Sequence, residues 1–205
     1  PTRFDPEGVR DVIRKFLGTL ANTYSFFALY ANIDRFSYAA SSRIPVADRS
    51  ELDRWLCSSL TALTKRVNDN LARYDLTRAS RAISDFVIDD LSNWYVRLSR
   101  RRFWRSETDE DKESAYSTLY QVLITLTKLV APVLPFTAEA MYQNLVRSVD
   151  AAAPESIHHC AYPQPDQALI DHELLDDVAL SRSLNPALQT FEAWLSANAA
   201  PSSRT

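Results

Sequence analysis

RAISDFVIDDLSNWYVRLSRRRFWR, residues Arg81 to Arg105, is the stretch whose reading decides the fold. Ile83, Val87, Leu91, Trp94 and Leu98 follow one another at steps of 4, 4, 3 and 4, the spacing of one apolar stripe on a long helix. On that spacing Trp94 and Leu98 are core, and Tyr95 and Trp104 are core or boundary. Asp85, Asp89 and Asp90 fill the first half, while Arg97, Arg100, Arg101, Arg102 and Arg105 fill the last turns. A segment that starts acidic and ends basic complements the helix dipole at both ends. Five arginines exceed what a dipole needs. Arg97, Arg101 and Arg105 recur at i, i+4 and i+8, where like charges repel by roughly 0.2–0.5 kcal/mol per pair. Such a strip beside Trp94, Tyr95, Phe103 and Trp104 fits presentation to a polyanion. Pairing of Arg100 and Arg101 with the acidic turn at Asp109 to Asp111 is the alternative.

Outward from this stretch the same periodicity recurs. On the N-terminal side, Leu52, Leu56, Leu60, Leu63, Val67 and Leu71 mark a second helix, with Ser50 and Asp53 as a capping box. A short turn at Arg73 to Leu76 makes it an antiparallel neighbour of the first, and Thr77 reads as the next cap. Further upstream, Asp5-Pro6 is a cap followed by proline at the first helical position. Val9, Val12, Ile13, Phe16, Leu17, Leu20, Tyr24 and Phe27 then keep helical spacing to about Ala31. On the C-terminal side, Thr108 reads as a cap. Ala115, Leu119, Val122, Leu123, Leu126 and Val130 carry another helix to the break at Pro132 and Pro135. A shorter helix follows to about Arg147. The expectation is an all-α fold, a bundle of four long helices plus one or more shorter ones. It divides into the bundle at residues 1–148, a linker or extended segment at 149–170, and a C-terminal helical appendage with a disordered tail at 171–205.

Composition agrees. Only Gly8 and Gly18 occur among 205 residues, against an average near 7%. So sparse a supply leaves no glycine-rich phosphate loop and few tight β-turns. The net charge of −3 hides an asymmetry: Arg35 to Arg105 holds 14 Lys/Arg against 8 Asp/Glu, and the remainder 9 against 18. A basic middle in a mildly acidic chain suits contact with nucleic acid through one face. No run of 18 apolar residues and no basic-then-apolar leader occurs, so the chain reads as soluble and cytoplasmic. It begins at a proline, as a piece of something longer would.

Chemistry is sparse. Cys57 and Cys160 are far apart and lack metal-ligand spacing, and His158, His159 and Cys160 are adjacent, which splays rather than converges them. His158, His159 and His172 all lie beyond the bundle. There is no HExxH, no GxSxG and no paired-carboxylate pattern. No catalytic residue and no metal site is expected in this chain.

Asp85 to Trp104, DFVIDDLSNWYVRLSRRRFW, resembles the signature of the anticodon-binding helical domain of class I isoleucyl-tRNA synthetases. Gly8 to Asp34 is similar to the helix that leads out of that family's catalytic core, and Leu76 to Val87 to the approach to the signature. Lys128 to Val146, KLVAPVLPFTAEAMYQNLV, resembles its Ala-Pro, Leu-Pro-Phe, Glu helix, and SIHHCAYP its exit. Valyl and leucyl relatives share the fold and the Ala-Pro element, but WYVRLSRRRFW favours the isoleucyl branch. The catalytic HIGH and KMSKS signatures and the editing insertion are absent, and residues past Asp171 depart from the family's pattern.

The resemblance implies a monomeric enzyme that joins isoleucine to its tRNA. It would use ATP and Mg held in a catalytic domain outside this sequence, with no cofactor in this segment. This chain would hold the anticodon stem-loop and dock on that catalytic domain. Arg97, Arg100, Arg101, Arg102 and Arg105 are the candidates for phosphate contact and Trp104 for base stacking. The rival from another class is a structural or protein-binding bundle whose arginines form internal ion pairs.

Overall fold

The computed structural model describes residues 5–38, 44–105 and 109–170. Within them the chain forms five helices of more than two turns, three single 3-10 turns and no strand. Helix α1 covers residues 6–33, with a wide π-helical turn at Ile13–Leu17. Helix α2 is Glu51–Ala72. Helix α3 covers residues 76–104, with π-helical turns over Phe86–Val96. Helix α4 is Glu110–Val130, and α5 covers residues 135–147.

The helix starts follow local chemistry. Asp5 accepts from Glu7 N with Pro6 at the first position of α1, and Pro135 opens α5, both as expected. Two caps differ from expectation. Asp75, not Thr77, caps α3 by accepting from Arg78 N. Asp109 caps α4 by accepting from Lys112 N, whereas Thr108 lies outside the described residues. An aspartate at the cap supplies a charged acceptor, which suits the positive end of the helix dipole better than a hydroxyl.

Helix α4 is central and packs against each of the other four. Its Leu119, Val122, Leu123 and Leu126 are fully enclosed, and so are the small polar Thr118 and Ser117 on its other sides. The stripes expected on α2 and α4 are buried from Leu52 to Val67 and from Ala115 to Val130. Helix α1 departs from its pattern: Val9, Val12 and Ile13 are about half exposed, and burial starts at Leu20.

Helix α3 departs from the stripe expected of it. Its enclosed face is Ala79, Ile83, Val87, Leu91, Tyr95, Ser99 and Phe103, a strict step of four. Four residues advance 400° on an α-helix, so a step of four would drift off the core. The π-helical turns between Phe86 and Val96 hold more residues per turn and cancel the drift. Trp94 and Leu98, expected as core, are therefore only half-buried, and Tyr95 takes the interior position with no exposure. Asp85, Asp89 and Asp90 also lie well past the helix start at Leu76, so they do not serve its N-terminal dipole.

The segment read as a linker or extended piece, residues 149–170, lies across the bundle. Glu139 of α5 accepts from Ser156 Oγ at 2.8 Å and from Ile157 N at 3.0 Å, and Ile157 is buried. Tyr142 donates to Pro154 O, Tyr162 to Leu129 O, and Asn68 of α2 to Pro163 O. The helical appendage and tail expected at 171–205, His172 included, fall outside the described residues. No helix among the described residues is long and apolar enough to cross a membrane.

Candidate nucleic-acid interface

The last three turns of α3 sort its arginines into two groups. The step of four turns Ser99, Arg102 and Phe103 inward, which leaves Arg97, Arg100 and Arg101 exposed on the outer face. Those three have no ion-pair partner among the described residues. Half-buried Trp94 lies one turn before Arg97, and Trp104, 57% exposed, ends the same helix. Three guanidinium groups with two indoles along one helix side can meet phosphates and unstacked bases.

Arg102 does not belong to that surface, which corrects its candidacy. It is 9% exposed and lies bidentate on Asp53, Nη1 to Oδ1 at 2.8 Å and Nη2 to Oδ2 at 2.7 Å. Its Nη2 also reaches Asp111, at 2.7 Å to the backbone oxygen and 2.8 Å to the carboxylate. Burial alone would lower the Arg102 pKa, but the hydrogen bonds and charge of Asp53, with Asp111, hold it above its ordinary value. Tyr95 donates to Asp53 Oδ1 at 2.6 Å, and burial beside that carboxylate pushes its phenol well up, keeping it neutral. Ser50 Oγ donates to Asp53 Oδ2 at 2.9 Å and accepts from Asp53 N at 3.3 Å. The expected cap is present, but its carboxylate is committed to the core. Asp53 was legible as more than a cap: with Leu56, Leu60, Leu63 and Val67 it sits at steps of 3, 4, 3 and 4 on the buried stripe.

Arg105 occupies an intermediate place. Its Nη1 lies 3.4 Å from Asp109 and 3.8 Å from Asp111, with the side chain about half exposed. The acidic turn thus draws Arg102 and Arg105, not Arg100 and Arg101. An exposed pair of this kind contributes roughly 0–1 kcal/mol and can yield to a phosphate.

Fully buried Lys112 anchors this end of the bundle. Its Nζ donates to Arg105 O at 2.7 Å and meets Asp34 Oδ2 at 2.6 Å, joining α1, α3 and α4. Tyr116 also donates to Asp34. Burial would raise the Asp34 carboxyl, but Lys112 and Tyr116 pull it below its usual value. Arg49, likewise buried, donates to Ile44 O, Thr118 Oγ1 and Gln121 Oε1, so the approach to α2 is pinned to α4. None of these was evident as a site residue. A buried cation leaves its signal only in a distant partner.

No cluster of three or more His, Cys, Asp or Glu that could hold a metal occurs among the described residues. His158 and His159 are exposed. Cys57 is buried, and burial pushes its thiol up to about 11, which makes it inert.

The sequence matches the family described as the anticodon-binding domain of tRNA ligase over residues 53–197. It is 50% identical over 183 residues to the isoleucine–tRNA ligase of Porphyromonas gingivalis, covering 89% of this chain and 16% of that protein. To the isoleucine–tRNA ligase of Cytophaga hutchinsonii it is 47% identical over 189 residues, covering 92% and 17%. To that of Dehalococcoides mccartyi it is 52% identical over 178 residues, covering 87% and 17%. The chain therefore spans about 16% of the first of these relatives and 17% of the other two. An all-helical bundle with a basic, indole-bearing outer helix belongs, by this match, to the anticodon-binding domain family of tRNA ligases.

Proposed function

We propose that this chain is the part of an isoleucine–tRNA ligase that grips the anticodon stem-loop of an isoleucine-accepting tRNA. The observation that carries it is the outer face of α3, where Arg97, Arg100 and Arg101 stand exposed and without an ion-pair partner among the described residues. The names of the relatives at about 50% identity support the amino acid. The catalytic domain of the parent enzyme is the second partner and holds ATP and Mg. The parent acts as a monomer in the cytoplasm, and this segment supplies grip and no chemistry.

A filter-binding titration of the chain with isoleucine-accepting tRNA and with a non-cognate tRNA, each at two salt concentrations, tests the reading. Tighter binding of the isoleucine tRNA, weakening as salt rises, is expected. Equal affinity for both tRNAs would remove the isoleucine assignment, and no binding to either would remove the RNA assignment. The bundle whose arginines serve internal ion pairs retains support from Arg102 and Arg105 alone.

A further inference from the structure

Helices α1 and α3 end where α4 begins, so two negative helix ends and one positive end meet in one place. Lys112 stands there, in the first turn of α4, among Glu110, Asp111 and Glu113. The dipole of α4 favours those acids and disfavours the lysine. The lysine is also fully enclosed. Desolvating an ammonium is costly, and an apolar residue of similar volume often serves a core equally well. The stability of α4 therefore does not call for a cation at this position.

What the ammonium reaches supplies a reason. Its Nζ meets Asp34 Oδ2, at the end of α1, at 2.6 Å, and Tyr116 donates to that same oxygen. The same Nζ donates to Arg105 O at 2.7 Å, at the residue where the chain turns out of α3 with ψ at 141°. Two residues earlier, Phe103 packs edge-on to Phe26 at 5.1 Å and to Tyr116 at 4.9 Å, and is buried. Trp104 lies between these two fixed points. Its neighbours on both sides are tied to α1 and α4, while its own indole is left outside.

We propose that Lys112 is a positioning residue for RNA contact: by holding the Arg105 carbonyl against Asp34, it sets where Trp104 and Arg105 stand at the end of α3. The proposal rests on the tRNA reading. Lys112 itself is enclosed and touches no RNA. It acts through the backbone of α3, keeping the last turn from fraying so that the indole meets a base already in place.

The test uses the whole chain, the anticodon stem-loop of isoleucine tRNA as probe, and Lys112→Met as the variant. A thermal melt confirms that the variant is folded at the binding temperature. Asp34→Asn, which keeps the lysine and weakens its anchor, serves if Lys112→Met unfolds. The folded variant should bind the stem-loop roughly tenfold more weakly, the loss of one stacked base. Trp104→Ala should weaken binding in the wild-type chain and add nothing in the variant, where that contact is already lost. In proton–nitrogen spectra of the free chain, the indole signal that Trp104→Phe removes should shift or broaden in the variant. The signal of Trp94, earlier on the same helix, should stay in place. Wild-type affinity in the folded variant, a Trp104→Ala loss that adds in full, or a Trp94 signal that moves as far as that of Trp104 each overturns the positioning role and leaves the tRNA reading standing. Failure of the wild-type chain to bind the stem-loop overturns both.

Discussion

Both terminal nitrogens of Arg102 meet the carboxylate of Asp53 inside the bundle, so the end of α3 and the start of α2 are joined by one bidentate ion pair. Removing one partner leaves the other charge buried and unpaired, at a cost of about 3–5 kcal/mol. Arg102→Ala should therefore lower the urea midpoint by that equivalent. The double variant Asp53→Leu with Arg102→Met should cost much less than either truncation. If Arg102→Ala leaves the midpoint within about 0.5 kcal/mol of wild type, the pair is not structural.

The outer arginines should behave in the opposite way. Arg97→Ala combined with Arg101→Ala removes two like charges one turn apart, so folding stability should hold or rise by roughly 0.2–0.5 kcal/mol. RNA affinity should fall across sequences, with the salt slope reduced by about one for each phosphate that is no longer neutralised. Denaturant melts and binding titrations on the same preparation separate the two effects.

A pH dependence follows from Asp90. Burial, then the neighbouring charges of Asp89 and Asp85, push its carboxyl up to about 6, against some relief from Arg66. A carboxyl whose folded value is raised binds its proton better in the folded state than in the unfolded one. The stability it contributes is therefore lost as pH rises from about 4 through 6. Asp90→Asn should be more stable than wild type by about 1–2 kcal/mol at pH 7.5, after discounting for partial exposure, and should match it near pH 4. Urea melts of both proteins at the two pH values read the difference directly. A gap independent of pH would contradict the assignment.

Arg35 closes α1 in the left-handed region, with φ at 53° and Phe36 N bonded back to Ala31 O. That position suits glycine, and a side chain there costs about 1–2 kcal/mol. Glycine also loosens the unfolded chain, at about 0.4–1 kcal/mol, so Arg35→Gly should raise stability by about 1 kcal/mol or slightly less. A thermal melt that shows a loss instead would mean the Arg35 side chain makes a contact that outweighs its backbone strain.

Glu139 holds residues 156–157 against α5 through two acceptor contacts, while Gln143 of the same helix donates to its other carboxylate oxygen. Glu139→Ala should cost about 1–3 kcal/mol by leaving the Ile157 amide unpaired, and should speed proteolysis between residues 149 and 163. Unchanged cleavage would show that Ile157 and Tyr142 suffice to hold this segment.

The legible part of the fold was what repeats at helical spacing. The stripes of α2 and α4 are leucine-rich and uninterrupted, so burial from Leu52 to Val67 and from Ala115 to Val130 could be read directly. Helix α3 resisted because its wide turns depend on what it packs against, and no residue type announces them. One displaced step moved Trp94 to the boundary and Tyr95 to the interior. Arg102 resisted for a related reason: whether an arginine is buried depends on Asp53, 49 residues away. Residues 149–170 read as a linker or extended segment because most of the bonds that hold them use backbone groups, which are common to every sequence. Of the candidate site, Arg97, Arg100, Arg101 and Trp104 emerged on the surface because a charged or indole side chain opposite a stripe points outward by default.

The wide turns of α3 also make the helix an index. Between Leu91 and Arg102 the same residues count out which side chain meets Asp53 and which arginines face away from the core. Deleting one residue there would swing everything after it by about 100° on the remaining helix, sending Arg102 outward and changing which arginine faces the interior. Core and outer face would fail together. This stretch should therefore accept substitutions on its exposed side yet tolerate no change in length, a constraint on insertions and deletions that falls on counting rather than on chemistry.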